Sequence, residues 1–254
     1  MISIAERHKY ILNALKENGF VKVSEIAKEL DVTSVTIRKD LKSLEKKKLL
    51  YRTHGSASPI NPHAVDIDLH EKEKMHTGEK RNIALAACAL IEPNDSIIIS
   101  SGSTTHIFAE ELNPSYSLTA VCASLKTSMI LNNCNNIEVI QLGGIVRKNS
   151  FSAVGDFASR ILNDLTCSKL FLGVDGIDIE NGITNSNVEE AMLNKKMMSA
   201  SLRTIILSDS TKFGRRGFGK ICTLDKIDVI ITDSGIPEAT ASAIEEMGIE
   251  LIIV

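Results

Sequence analysis

The chain has 254 residues, of which 43% are hydrophobic and 24% charged, and its net charge is −3, as in a folded globular protein with room for two domains. No apolar run approaches the ~20 residues that cross a bilayer, and the N-terminus lacks the apolar segment of a signal peptide, so we expect a cytoplasmic protein. The five cysteines form no C-x-x-C pair and are interpreted as reduced thiols, with no metal site and no cofactor expected.

Residues 1–58 predict a small domain of three helices. Apolar residues at helical spacing mark the first helix over residues 4–18, with a packing face made of Ile4, Ile11, Leu12 and Leu15. A second helix is expected to start at the N-cap Ser24, and a third at the N-cap Thr33. Residues 49–55 predict a strand that runs into a turn, so we expect a winged helix-turn-helix.

The third helix predicts a surface that reads DNA. Its buried stripe consists of Ile37, Leu41 and Leu44, and its opposite face is polar and basic. Any solvated amphipathic helix carries some basic residues, but residues 1–58 contain twelve Lys and Arg against seven Asp and Glu, whereas the remaining residues contain seventeen against twenty-five. This local excess of positive charge favours a nucleic-acid contact. The candidate contacts are Ser34, Thr36, Arg38, Lys39 and Lys42.

Residues 59–79 lose periodicity and include prolines and a mixed-charge run, which predicts a linker. Residues 80–254 predict a second domain that begins with a helix from Lys80 to about Ile91 and continues as an α/β pattern. Its apolar runs are expected to be strands at residues 96–100, 118–122, 137–142, 170–174, 204–208, 229–232 and 250–254. The segments between them predict helices at residues 104–112, 125–132, 157–165, 188–201 and 237–247. This alternation indicates a largely parallel sheet covered on both faces.

The end of the first strand carries a candidate anion site. Residues 100–105 form a hydroxyl-rich loop before a helix, so backbone N–H groups and hydroxyls would converge at a helix N-terminus. An ordinary N-cap with a turn glycine has the same sequence pattern. Other strand ends carry further candidates, and their placement on one rim favours a sugar-phosphate site over several unrelated turns. These candidates are Ser124, Gly143, Gly144, Arg147, Asp175, Gly176 and Lys212.

Nearly the whole chain resembles the DeoR family of bacterial transcriptional repressors. Residues 6–55 follow that family's helix-turn-helix signature, including the spacing S-x-T-I-R-K-D-L-x-x-L from Ser34 to Leu44. The C-terminal part carries SGSTT, LGG, GVDGID, NGIT and DSTKFG in the family's order. The chain departs from the family's usual residues at Lys39, at Ser100, where an Asp is common, and at residues 122–123.

The resemblance implies a second domain related in fold to ribose-5-phosphate isomerase that senses a phosphorylated sugar or similar metabolite. It implies a repressor of carbohydrate-metabolism genes that binds operator DNA, with Arg52 and His54 serving the wing. The effector residues that it implies are Ser101, Gly102, Ser103, Thr104 and Thr105 for the phosphate, Lys212 as a cation, and Asp175 and Arg147 for the sugar hydroxyls.

A single DNA-binding module makes few phosphate contacts, so we expect a homodimer or homotetramer assembled through the second domain. Two other functions remain open at this point. The second domain could only oligomerise, with a degenerate cleft. Alternatively, it could be a sugar-phosphate isomerase or acyl transferase whose acid, base and cation come from Asp175, Asp178, Glu189, Glu190, Lys195 and Lys212.

Overall fold

The computed structural model describes residues 2–18, 21–47, 49–53, 55–58 and 66–254. The chain divides into two compact units, Met1–His63 and Ala64–Val254. Each unit has its own hydrophobic core. Among the described residues, none of the helices combines the length and the apolar character needed to span a bilayer.

The first unit contains three helices and a three-stranded antiparallel sheet. Its elements are α1 (Ile4–Asn18), β1 (Val21–Lys22), α2 (Val23–Glu29), α3 (Ser34–Lys46), β2 (Tyr51–Thr53) and β3 (Ser56–Ser58). The strand order is β1-β3-β2, and the β2–β3 hairpin is the wing. The predicted winged helix-turn-helix is therefore confirmed.

Thr33 caps α3 as predicted, because its side chain accepts a hydrogen bond from the N–H of Thr36 at 3.2 Å. Two local predictions about this unit are wrong. The second helix begins at Val23, with Lys22 rather than Ser24 in the N-cap position. Ile4 is 62% exposed because it is the first residue of α1 and extends beyond the core that buries Ile11.

The second unit has the following helices: α4 (Leu69–Glu73), α5 (Thr77–Cys88), α6 (Ser103–Glu111), α7 (Leu125–Leu131), α8 (Asp156–Ile161), α9 (Val188–Ser199) and α10 (Glu238–Glu246). Its strands are β4 (Ser96–Ile99), β5 (Leu118–Cys122), β6 (Ile137–Gln141), β7 (Ile145–Val146), β8 (Ala153–Val154), β9 (Cys167–Gly173), β10 (Gly176–Asp178), β11 (Gly182–Asn185), β12 (Ser201–Leu207), β13 (Gly219–Cys222), β14 (Val229–Thr232) and β15 (Glu250–Ile253).

Seven of these strands form one sheet in the order β15-β14-β12-β9-β4-β5-β6, and every neighbouring pair is parallel. All seven correspond to the predicted apolar runs, so the predicted fold class is confirmed. Successive residues of β4 alternate between two cores: Ile98 belongs to one core, and Ile97 and Ile99 belong to the other. The chain order reverses direction between β4 and β9, and this switch point is where ligands of open parallel sheets bind.

Several short elements are absent from the sequence prediction. Strands β10, β11 and β13 form a small antiparallel sheet, and β7 pairs with β8. Helix α4 and the start of α5 lie within the segment predicted as a linker, in the second unit. A five-residue helix is too short to show a hydrophobic period, and its N-cap Asp68, which accepts from the N–H of His70 at 2.9 Å, resembles any polar loop residue.

Candidate ligand cleft and nucleic-acid interface

A cleft opens at the carboxyl ends of β4 and β9, at the switch point of the sheet. The sequence predicted six of its lining residues, which are Ser101, Gly102, Ser103, Thr104, Asp175 and Lys212. It missed several polar lining residues, among them Asp66, Lys72, Asn149, Ser150 and Asn185, and it named Glu190 only as a candidate for acid–base chemistry. The structure therefore brings hydroxyls, amides and charges of both signs to one place.

The loop between β4 and α6 forms the cationic end of this cleft. Gly102 precedes α6 with φ +154°, a conformation that favours glycine. In the described residues, no acceptor is found for the N–H groups of Ser103, Thr104 and Thr105, which are the first turn of the helix. Unsatisfied amides at the positive end of a helix dipole form a site for an anion such as a phosphate group.

The ammonium of Lys212 reaches the same cleft from the turn after β12. Its side chain makes no hydrogen bond or ion pair with any residue that the structure describes. Burial lowers the pKa of Lys212, an effect that the nearby carboxylates of Asp209 and Asp175 oppose. A half-buried cation without a bonded counter-ion is the chemical complement of an anionic ligand.

Asp175 supplies a negative charge to the cleft, and three hydrogen bonds hold its carboxylate in place. It accepts hydrogen bonds from Lys72 Nζ at 2.7 Å, from the Ser186 N–H at 2.9 Å and from Ser186 Oγ at 2.7 Å. Burial opposes ionisation, but the charge of Lys72 and these hydrogen bonds outweigh it and hold the pKa of Asp175 below its ordinary value. Asp175 is therefore an ionised acceptor, suited to bind the hydroxyls of a polyol.

Residues 66–80, called the strap below, attach to the cleft at several points. Asp66 contacts the Arg147 guanidinium at 2.5 Å, and the Leu69 N–H donates to the Asn149 carbonyl at 2.8 Å. Together with the Lys72–Asp175 pair, these contacts bind the beginning of the second unit to the loops after β7 and β9. Because the strap contributes lining residues, a ligand that enters the cleft meets it directly.

Two further contacts fix the end of α4 within the strap. Lys80 is buried, and its ammonium donates to the carbonyls of Lys72 at 2.5 Å and Met75 at 2.7 Å. Burial lowers the pKa of Lys80 to about 8. Glu73 lies 2.6 Å from Lys126 and 2.5 Å from His106. Burial alone would raise the pKa of Glu73, but these partners hold it below its ordinary value.

Six of the predicted effector residues do not line the cleft. Thr105 is buried, and its hydroxyl donates to the Gly102 carbonyl at 3.1 Å. Arg147 lies behind the lining, where it also pairs with Glu190 at 2.8 Å. Gly144 has φ +132°, and a Cβ atom there would lie 2.4 Å from the carbonyl oxygen of Val154, so this glycine serves the turn before β7. The other three residues are Ser124, Gly143 and Gly176.

Ser100, which stands where a family member commonly has Asp, is fully buried and lies beneath the cleft. Its Oγ accepts a hydrogen bond from the N–H of Gly173 at 2.9 Å and so links the ends of β4 and β9. The hydroxyl therefore supports the lining without entering it.

The carboxylates considered for acid–base chemistry are engaged in structural contacts or are exposed. Asp178 accepts from Arg216 Nε at 2.9 Å and from the Asn181 N–H at 2.8 Å, and these contacts hold its pKa below the ordinary value although burial opposes them. Glu189 and Lys195 are exposed on α9. The geometry thus favours binding over proton transfer.

The candidate DNA contacts lie on the outer face of α3 in the first unit. Arg38, Lys39 and Lys42 are exposed, and Ser34 and Thr36 are half-buried. The wing is tied to this helix, because Arg52 Nε donates to Glu45 Oε2 at 2.7 Å. Arg52 therefore has an intramolecular partner, and His54 lies outside the described residues.

A buried ion pair joins α1 to α3 and was not predicted. Arg7 Nε and Nη2 donate to the two carboxylate oxygens of Asp40 at 2.7 and 3.1 Å. Both residues stand in helices whose charged positions would ordinarily face solvent, so one sequence gives no signal for the pairing. For the missed cleft residue Lys72, the available signal was a charged run, which also describes a solvated segment.

Family profiles match both units. Residues 7–63 match the DeoR-like helix-turn-helix domain, and residues 75–234 match the DeoR C terminal sensor domain. An uncharacterized HTH-type transcriptional regulator, YulB, of Bacillus subtilis is 36% identical over 99% of this chain and 97% of its own length. The lactose phosphotransferase system repressor of Lactococcus lactis is 35% identical over 91% of each chain.

Among solved structures, ribose 5-phosphate isomerase A from Neisseria gonorrhoeae is similar to part of the chain. The similarity covers 53% of this chain and 52% of the isomerase, with 23% sequence identity and a TM-score of 0.40. A likeness at this level does not bear on what the protein does.

Proposed function

Because this chain belongs to the DeoR family of DNA-binding transcriptional regulators, we propose that it represses carbohydrate-metabolism genes and that a phosphorylated sugar modulates its binding to operator DNA. The observation that carries the proposal is the cleft at the switch point of the sheet. It combines the unsatisfied amides of the first turn of α6 with the unbonded ammonium of Lys212. A relative is described as a lactose phosphotransferase system repressor, which supports a sugar-linked role.

The phosphate of the ligand binds at the N-terminus of α6, where the amides of Ser103, Thr104 and Thr105 donate to its oxygens. Lys212 balances the remaining charge. The sugar hydroxyls face Asp175, which is ionised and able to accept hydrogen bonds from them.

Binding is coupled to the strap through Lys72. In the structure Lys72 donates to Asp175, but a sugar hydroxyl competes for that carboxylate while the phosphate attracts the ammonium. The ammonium of Lys72 then leaves Asp175 and binds the ligand, and α4, which carries Lys72, shifts with this side chain. The strap begins three residues after His63, where the first unit ends, so a shift of the strap changes the constraint on the DNA-binding unit. Such couplings amount to about 1–3 kcal/mol.

DNA recognition uses the outer face of α3, with Ser34, Thr36, Arg38, Lys39 and Lys42 directed to bases and backbone, and the wing, with Arg52 and His54, as a second contact. One module of this size makes too few phosphate contacts for useful affinity, so two copies occupy adjacent half-sites as a dimer or tetramer. Light scattering of the purified full chain measures this state directly, and a monomer at working concentration contradicts it.

The test measures ligand binding and DNA binding on the same protein. The full chain is screened by thermal shift against phosphorylated sugars, their unphosphorylated counterparts and inorganic phosphate, because a ligand specific for the folded state raises the melting temperature. DNA fragments selected by the protein from a random library then serve as the operator. We expect a phosphorylated sugar to raise the melting temperature and to change the DNA affinity about tenfold, within the usual range of coupling.

Two lysine variants separate the cleft from nonspecific charge effects. Lys212→Met is expected to abolish the thermal shift and the change in DNA affinity while it leaves DNA binding without ligand intact. Lys220→Met, at an exposed lysine of β13, is the matched control and is expected to behave like the wild type. If every sugar phosphate leaves both measurements unchanged, the second unit is an oligomerisation platform and the sensing proposal is wrong.

A further inference from the structure

The outer face of α3 carries one apolar side chain among its charges. Val35 is 57% exposed, whereas Ile37, Leu41 and Leu44 on the opposite face are at most 1% exposed. Positions 35, 39 and 42 are spaced by four and three residues, so Val35 lies on the same helical stripe as Lys39 and Lys42. A valine therefore begins the basic stripe in the first turn of the helix.

The threonines on either side of Val35 form hydrogen bonds at the start of the helix, whereas Val35 does not take part in them. The hydroxyls of Thr36 and Thr33 lie 2.9 Å apart, and Thr33 also caps the helix through the Thr36 N–H. This arrangement makes Thr36 part of the helix start. Val35 has no such part, because its two methyl groups can neither cap a helix nor bond water.

An exposed valine is unfavourable here unless something covers it. A branched side chain loses rotamer freedom in a helix, and apolar surface in water gives no compensating packing energy. Single exposed hydrophobics are common on protein surfaces, but this one is flanked by lysines at i+4 and i+7. Those charges suit a polyanionic partner and oppose burial against an apolar protein surface.

On the edges of DNA bases in the major groove, the apolar group is the C5-methyl of thymine. We propose that Val35 determines sequence specificity by contacting a thymine methyl in each half-site of the operator. This inference rests on the proposed use of α3 as the DNA-reading helix. It assigns recognition of the thymine methyl to Val35, contact with polar base edges to Lys39 and contact with the phosphates to Lys42.

The experiment compares selection and affinity for the full-length chain. Wild type, Val35→Ser and Lys42→Met are each used to select duplexes from a random library. At each thymine of the wild-type consensus, deoxyuridine is then substituted, which removes the methyl group and keeps the base-pairing edge. Val35 is exposed, so Val35→Ser is expected to fold, and its melting temperature verifies this.

We expect the wild type to prefer thymine at one position of each half-site and to lose about three- to tenfold in affinity when that thymine becomes uracil, as for one buried methyl group. Val35→Ser should bind thymine and uracil duplexes equally and show no preference at that position. Lys42→Met should bind all duplexes more weakly without changing the consensus, because a phosphate contact carries no sequence information.

The outcomes separate the role of Val35 from the role of α3 as the DNA-reading helix. If Lys42→Met weakens binding but wild type and Val35→Ser respond equally to uracil at every thymine, the role of Val35 is refuted and the DNA-reading role of α3 stands. If the wild type selects no consensus, both the role of Val35 and the DNA-reading role of α3 are refuted. The same conclusion follows if Lys39→Met and Lys42→Met bind the selected DNA as tightly as the wild type does.

Discussion

The ammonium of Lys72 lies 2.7 Å from the carboxylate of Asp175, although 103 residues separate them in the sequence. The pair joins the strap to the loop after β9, and both side chains are largely buried, with 18% and 10% exposure. Removing one partner of a buried pair leaves the other charge without compensation, which costs more than the pair contributes.

Lys72→Met is therefore expected to lower the free energy of unfolding of the second unit by about 3 kcal/mol, as for a broken buried ion pair. The matched control is Lys74→Met, two residues later, whose partner Glu71 is exposed. That control should change stability by less than about 0.5 kcal/mol. Chemical denaturation followed by circular dichroism measures both, and equal effects would show that the Lys72–Asp175 contact is not maintained in solution.

A similar loss of stability is expected in the first unit when the buried Arg7–Asp40 ion pair is broken. The Arg7 guanidinium donates two hydrogen bonds to the Asp40 carboxylate and so joins α1 to α3. Arg7→Met should lower the melting temperature of the DNA-binding unit by about 5 °C or more, since a buried carboxylate loses its partner. Lys9→Met, on the exposed side of the same helix, should leave the melting temperature nearly unchanged. Differential scanning calorimetry of the full chain resolves the transition, and an unaffected Arg7→Met variant contradicts the assignment.

Lys80 predicts an unusual dependence of stability on pH. Its pKa in the folded chain is lowered to about 8 by burial, below the ordinary value of 10.5. Above pH 8 the unfolded chain holds this proton more tightly than the folded chain does, so the free energy of unfolding gains a contribution that rises until about pH 10.5. The slope is expected to stay below the about 1.4 kcal/mol per pH unit of a full proton.

The control for Lys80 is the variant Lys80→Met, which lacks the titrating group. The difference in unfolding free energy between wild type and variant, measured by urea titration from pH 7.5 to 10, should move in favour of the wild type as the pH rises. A constant difference over this range would mean that Lys80 titrates normally.

Lys212 predicts proton uptake when an anion binds. Burial lowers the pKa of Lys212, and a phosphate group beside it would raise that pKa again. Titration calorimetry at several alkaline pH values, in two buffers with different heats of ionisation, should therefore detect protons taken up with a phosphorylated sugar. Affinity should fall as the pH rises. Lys212→Met should bind at least tenfold more weakly without proton uptake, a loss of about 1.4 kcal/mol or more, and uptake that persists in this variant would assign the proton elsewhere.

Gly143 and Gly144 offer a matched pair of adjacent positions. A Cβ at Gly144 would collide with the Val154 carbonyl, and its φ is positive, whereas a Cβ at Gly143 would meet no atom within 4 Å. Gly144→Ala should destabilise the second unit by about 2 kcal/mol or more, and Gly143→Ala should be neutral or slightly stabilising. Denaturation curves compare them, and equal stability would overturn the structural role given to Gly144.

The sequence predicts the seven-stranded sheet well, because every strand is a short apolar run between polar turns. Thr33 is likewise predictable as an N-cap, since capping depends on a residue type at a local position. The switch-point cleft follows from the same pattern, because the carboxyl ends of parallel strands share one edge. By that rule Ser101 and Lys212 are expected at one edge of the sheet, and both line the cleft.

The parts that sequence reasoning missed depend on contacts between distant residues. A lysine within a charged run, such as Lys72, gives no indication that it turns inward to Asp175. Arg7 and Asp40 lie 33 positions apart, and either would ordinarily be assigned to a solvated helix face. Val35 was missed for a different reason: its spacing from Lys39 and Lys42 already places it on the outer face of the helix, but a single valine on a surface is no motif, and its 57% exposure is known only from the structure.

Under the proposed function, the Lys72–Asp175 contact has a consequence for how sensitive the protein is to its ligand. The ammonium of Lys72 is tethered to the strap and competes with a free ligand for Asp175. Its effective concentration at Asp175 depends on how well α4 is formed. The apparent affinity for a free ligand is reduced by the fraction of molecules in which this internal cation occupies its place. Substitutions on the outer surface of α4 that change its helix stability would then shift the response threshold without altering any residue that contacts the ligand.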